Sequence, residues 1–204
     1  PFPSWTVRWR GLESLPLVKS VARSISLSHS FAGQRTENWK DTKDTPTQET
    51  KTRDFRPLLG VNITFKNGIT ATAQYQTSES LQEKMLVSSG TTRQTSSSIN
   101  VSAKYNIRGG IKLPFMKKRL NNNIDISVAF QQGTQITARK QPGNDYFTDM
   151  SNTMNWSFKP NVTYSFTRTV NGGLYFELGK RKDLRAGTTD IKGFGINATI
   201  SLGS

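Results

Sequence analysis

Ile99-Asn100-Val101-Ser102-Ala103-Lys104-Tyr105-Asn106-Ile107 alternates without a break, apolar at each odd position and polar at each even one. Successive side chains of a β-strand point to opposite faces, so this stretch reads as a strand with one greasy and one wet side. The same alternation spreads outward along the chain. Upstream, Ile25, Leu27 and Phe31 alternate with Ser24, Ser26 and Ser28, and His29 falls on the apolar side. Val61, Ile63 and Phe65 alternate with Asn62 and Thr64, and Ile69, Ala71, Ala73 and Tyr75 follow. Downstream, Ile126, Val128 and Phe130 alternate with Ser127 and Gln131. Trp156, Phe158, Val162, Tyr164 and Phe166 share a face opposite Asn161 and Thr163. Leu174, Phe176 and Leu178 come next, and Ile196 and Ile200 close the chain against Asn197 and Thr199. Trp5, Val7 and Trp9 open it.

The composition agrees with this two-faced pattern and excludes other classes. Of 204 residues only 33% are hydrophobic, below the ~45–50% of average globular chains on a count that also includes Gly. The deficit has gone to Ser, Thr, Asn, Gln and Gly. No run approaches the ~18 apolar residues of a membrane helix. There is no cysteine, so disulfides, thiolate metal sites and thiol nucleophiles are excluded. A single histidine leaves no multi-His metal centre. The net charge of +14 raises the question of nucleic acid. The cations are scattered singly, however, and the dense clusters are short: Lys117-Lys118-Arg119 and Lys180-Arg181-Lys182. A solvated face or a basic water-filled channel fits as well, and nucleic acid is not expected as a partner.

About nine strands emerge, several of them longer than the usual five or six residues. A soluble antiparallel sandwich also alternates. A membrane β-barrel needs ~9–11-residue strands, apolar outside and polar inside, and matches the length and the uniform polar face better. The connections read as two kinds. Tight turns at Asn67-Gly68 and Asn171-Gly172-Gly173, with Leu-Pro links at 11–20 and 109–122, fall on one side. Long polar loops at about 34–54, 79–94, 140–152 and 181–190 fall on the other. The expectation is an all-β fold: the antiparallel wall of a transmembrane β-barrel. An odd strand number, and a chain beginning Pro1-Phe2-Pro3, make residues 1–204 the C-terminal part of one larger barrel domain.

A near-repeat of about 100 residues supports growth by hairpins. Leu15-Pro16-Leu17-Val18-Lys19 is echoed by Leu113-Pro114-Phe115-Met116-Lys117, and Phe55-Arg56-Pro57 with Asn67-Gly68 by Phe158-Lys159-Pro160 with Asn171-Gly172. Pro160 removes a ladder donor and reads as a bulge or rim position. In the second link, Ile111, Leu113, Phe115 and Met116 beside Lys112, Lys117, Lys118 and Arg119 form a mildly amphipathic stretch that reads either as a contact for a leaflet or a periplasmic partner or as a short capped turn with solvated lysines.

Two residue sets follow. The lumen-facing set is Ser24, Ser26, Ser28, Asn62, Thr64, Asn100, Ser102, Ser127, Gln131, Asn161, Thr163, Asn197 and Thr199. The lipid-facing set is Ile25, Leu27, Phe31, Val61, Ile63, Phe65, Ile99, Val101, Ile126, Val128, Phe130, Trp156, Val162, Tyr164, Phe166, Phe176, Ile196 and Ile200. Trp5, Trp9, Trp156, Tyr75, Tyr105 and Tyr164 are suited to interfacial girdles. Asp125 and Glu177 sit on polar faces without paired-carboxylate spacing, and His29 lies on an apolar face beside Phe31, so no catalysis, cofactor or metal is expected.

Longer words point to a family. Trp5-Thr6-Val7-Arg8-Trp9-Arg10-Gly11-Leu12 and Ser26-Leu27-Ser28-His29-Ser30-Phe31 are two of them. Phe55-Arg56-Pro57-Leu58-Leu59-Gly60-Val61 with Phe65-Lys66-Asn67-Gly68, and the ending Gly193-Phe194-Gly195-Ile196-Asn197, are others. Together they resemble the C-terminal region of the SprA/Sov family, the outer-membrane translocon of the type IX secretion system in Bacteroidota. The resemblance covers nearly the whole chain, carries no catalytic motif, and involves chains much longer than this one. It implies a very large single-chain barrel through which folded secreted proteins and gliding adhesins cross the outer membrane. It also implies partners: the rest of the same barrel chain, outer-membrane lipid, secreted cargo, a smaller cargo-receiving outer-membrane barrel and a periplasmic plug. A nutrient-receptor or lipid-handling barrel is the alternative within the membrane class, and a soluble basic β-protein binding nucleic acid or polysaccharide the alternative outside it.

Overall fold

The computed structural model describes residues 3–39, 45–85, 90–108, 122–167 and 169–201. The strands are β1 (Ser4–Arg10), β2 (Ala22–Asn38), β3 (Gln48–Phe65), β4 (Thr70–Lys84), β5 (Thr91–Ile107), β6 (Ile124–Lys140), β7 (Thr148–Ser165), β8 (Val170–Asp183) and β9 (Gly187–Ile200). Each pairs antiparallel with the next, giving one nine-stranded sheet in chain order. The expected all-β antiparallel fold is present as an open sheet with β1 and β9 at its edges. Helix is confined, among the described residues, to one 3₁₀ turn (Leu12–Ser14) and a four-residue α1 (Pro16–Lys19) in the first Leu-Pro link. The second link, with its amphipathic stretch, lies outside the described residues.

Among the described residues the sheet has no second layer. Among the described residues the only buried apolar side chains are Ala22, Ile124 and Ala138, and no large side chain is fully buried. The chain exposes 14777 Å². A folded monomer of 22.8 kDa exposes about 9,600 Å². The excess is the uncovered sheet surface, since a sheet acquires a core only when a second layer packs on it.

Cross-strand register makes each face continuous. One row runs Trp9, Leu27, Val61, Ala73, Val101, Phe130, Phe158 and Leu178, each residue directly opposite the next across β1 to β8. One step along each strand, a polar row runs Arg8, Ser28, Gly60, Gln74, Asn100, Gln131, Ser157 and Gly179. A one-residue slip would exchange the faces, so the apolar rows fix the register.

Three expectations need correction. The first concerns loop extents. Strands β2 to β9 hold 14 to 18 residues and extend from both ends into 34–54, 79–94, 140–152 and 181–190. The connections at that end shrink to 39–47, 85–90, 141–147 and 184–186. These strand ends are polar on both faces and show no alternation, yet neighbours on either side satisfy their backbone groups. The last of these connections is also tight, so loop length does not separate the two ends strictly.

The second correction is the β7–β8 turn. It spans 166–169, closed by the Phe166 N–H donating to the Val170 carbonyl at 2.9 Å. Gly172 and Gly173 lie inside β8 with ordinary φ. They are small for lack of space: a Cβ on Gly172 would sit 2.6 Å from the Phe166 ring, and one on Gly173 would overlap Asn197. The Asn67-Gly68 turn is as expected, with Gly68 at φ 89°.

The third is Pro160, which sits in regular register opposite Val128 with no bulge. The bulge belongs to Pro57 instead. Between Phe55 and Leu59, β3 loses register with both β2 and β4. The two Pro words are therefore alike in sequence but not in geometry.

Candidate functional site: the two faces of the sheet

The register puts every member of the lumen-facing set on one face and every strand residue of the lipid-facing set on the other. Phe166, just past β7, joins the apolar face through an edge-on contact with Tyr164 at 4.9 Å. Residues beyond those sets extend each face. Leu59, Phe158, Leu174, Leu178 and Phe194 complete the apolar one, and Thr70, Thr72 and Gln74 the polar one.

The apolar face has aromatic clusters toward its margins. Trp5, Phe31 and Phe55 form a run across β1, β2 and β3, with ring centroids 4.4 and 4.8 Å apart. His29 joins it, 5.9 Å from Phe55. Its Nδ1–H donates to the Leu58 carbonyl at 2.7 Å, in the Pro57 bulge. A carbonyl only accepts, so the contact fixes the proton on Nδ1. The sequence placed His29 on the apolar side; the bulge it serves was hidden because register shifts leave no mark in periodicity. Tyr75 and Trp156 share one row, and Tyr164 and Phe166 lie toward the other end of the strands. Trp9, opposite Leu27, starts the row that runs through Val61 and Val101, inside the band along the strand direction rather than at its margin.

The polar face is built of short neutral side chains bonded to each other. Thr72 and Ser102 hydroxyls meet at 2.7 Å, and Thr6 and Ser30 at 3.1 Å. Asn106 donates to the Asp125 carboxylate. Lys159 pairs with Glu177 at 2.7 Å. Asp125 and Glu177 are therefore occupied in strand-to-strand contacts. Among the described residues no three His, Asp or Glu side chains converge as metal ligands.

Beyond the aromatic margin the exposed strand ends carry ion pairs. Glu49, nearly buried, takes Arg35 at 2.5 Å and Lys51 at 3.1 Å on one carboxylate oxygen. In the β8–β9 turn, Asp183 accepts the Arg185 and Ala186 N–H groups at 2.9 and 3.0 Å and the Thr153 hydroxyl at 2.8 Å. These donors, the Ala186 N–H foremost, lower its pKa from 3.8 to about 2.

In comparison with known proteins, the chain matches no protein-family model and no curated relative.

Proposed function

We propose that this chain is a wall segment of a protein-conducting outer-membrane pore, with its apolar face against lipid and its polar face lining the conduit. The observation that carries the membrane placement is the continuous apolar row across eight strands, on which nothing among the described residues packs. Soluble monomers rarely expose contiguous apolar patches above a few hundred Å². A sandwich would cover this face with a second sheet, and no second sheet exists among the described residues.

Dimensions support the same reading. From Phe166, just past β7, back to Trp156 is ten residue steps. That is about 33 Å along a strand, or about 25 Å of height at a tilt of roughly 40°, the apolar band of outer-membrane barrels. Spanning sheets must close, because backbone groups have no water in hydrocarbon. The open edges of β1 and β9 therefore require further strands to complete a ring.

Protein conduction, rather than nutrient or lipid handling, rests on the resemblance to the SprA/Sov translocons. The face chemistry agrees with it. Ser, Thr, Asn and Gln rows offer a passing protein hydration without apolar adhesion. The test is site-specific photo-crosslinking in the full-length protein. A crosslinker at Gln131 should capture secreted cargo in transit, while one at the adjacent Phe130 should capture lipid. Cargo captured at neither position, or only at Phe130, would overturn the proposal.

A further inference from the structure

Away from β1 the charges of the polar face are spaced apart, as at Lys104, Asp125 and the Lys159–Glu177 pair, but beside β1 they gather. There a cavity of about 430 Å³ is lined by Arg8, Arg10 and Arg56, with Ser28, Asn62 and Gln74 among its other walls. Arg8 lies directly opposite Ser28, and Arg10 opposite Ser26. Arg56 reaches the same cavity because it belongs to the β3 bulge, whose Pro57 folds over Gly60 on the polar side; a Cβ on Gly60 would come within 2.9 Å of the Pro57 ring. Among the described residues, neither Arg8 nor Arg10 has a carboxylate within 4.0 Å. Arg56 has one, Asp54 at 3.4 Å through a single nitrogen, and its side chain is 62% exposed.

We propose that Arg8, Arg10 and Arg56 form an oxyanion-binding station on the polar face that takes the carboxylates of an extended, acidic stretch of polypeptide. Three guanidiniums in one cavity repel each other and gain by sharing anions, to which each offers a bidentate fork. Arg8 and Arg10 stand two residues apart on one face of a strand, about 7 Å. Alternate side chains of an extended chain repeat at the same interval, so two carboxylates spaced i and i+2 meet two guanidiniums without distortion. The hydroxyl and amide groups around them supply further donors. A single phosphate would engage one or two arginines and leave that register unused. The identity of the occupant rests on the reading that polypeptide passes over this face; the anion site itself does not.

The test uses the full-length protein in detergent micelles and a fluorescein-labelled oligo-aspartate peptide followed by anisotropy. The peptide should bind and be released by salt. Combining Arg8→Gln with Arg56→Gln should weaken binding about tenfold, while Arg8→Lys with Arg56→Lys, which keeps the charges but loses the forks, should fall between that pair and the unaltered protein. Lys182→Gln, at the far end of β8, should leave it unchanged. An unaltered unfolding midpoint of the Gln pair shows that the wall is intact. Full-strength binding by the Gln pair, or equal binding of an oligo-asparagine peptide, would overturn the station. Peptide binding without cargo capture at Gln131 would keep the station and remove the pore reading, so the two failures are separable.

Discussion

The Tyr175 ring lies across the backbone of Gly195, its directly opposite partner on the polar face between β8 and β9. A Cβ at position 195 would overlap the ring's Cε1 and Cζ atoms, too close to be accommodated. The glycine is thus a seat for the tyrosine, and the tyrosine covers backbone that would otherwise meet water. Gly195→Val should destabilise the β8–β9 pair by about 1–3 kcal/mol through overpacking. The cost should shrink in the Tyr175→Ala background, because residues in contact are non-additive. Urea midpoints of the four proteins check this; strict additivity would mean the contact carries no energy.

His29 is the second local prediction. Its Nδ1–H is the side-chain partner of the Leu58 carbonyl in the Pro57 bulge. His29→Leu preserves bulk and apolar character but strands that carbonyl on the apolar face. An unsatisfied polar group costs about 1–3 kcal/mol. The urea midpoint should fall accordingly, and an unchanged midpoint would show that the bulge needs no side-chain donor.

The β8–β9 turn should be acid-sensitive. The carboxyl of Asp183 titrates at about 2 in the folded chain against 3.8 for the free group. A depressed carboxylate contributes stability above its unfolded pKa and loses it as pH falls through the folded one. The turn should therefore loosen as pH drops from about 4 to about 2. Pepsin nicking at the exposed Leu184, normalised to a denatured control, should rise across that window. In Asp183→Asn the rise should be absent. Identical profiles for both proteins would contradict the assignment.

Much of this molecule was legible because one physical rule governs it. Where one face is apolar and the other polar, alternation survives along the strand, and residues such as Val101 and Asn100 can be assigned to faces from parity alone. What parity could not show were places where the rule lapses. The strand ends around Thr52, Ser80 and Thr95 meet water on both sides, so nothing in their pattern separates strand from loop. Gly172 and Gly173 looked like turn residues, but crowding by Phe166 and Asn197 selects them, and crowding is tertiary. Arg56 is far from Arg8 and Arg10 in sequence, and the three read as scattered cations. Only the bulge at Pro57 and the β1–β2 register bring them to one cavity.

A direct energetic contrast follows for the two faces. Val101→Lys places a charge in the middle of the apolar row and should cost about 2–4 kcal/mol in lipid vesicles. Asn100→Lys, one residue away on the polar face, should cost less than about 0.5 kcal/mol, as solvated substitutions do. Urea titration of the vesicle-bound protein reads both. Equal penalties would mean that the faces do not meet different solvents.

The central claim is that lipid lies against the Ile63 face and water against the Asn62 face. Spin labels at these adjacent β3 positions, in the full-length protein in native outer-membrane vesicles, test it most directly. The account predicts that the label at position 63 is relaxed by oxygen and shielded from a polar nickel complex, and that the label at position 62 shows the reverse. Equal accessibility of both labels to the nickel complex would contradict it.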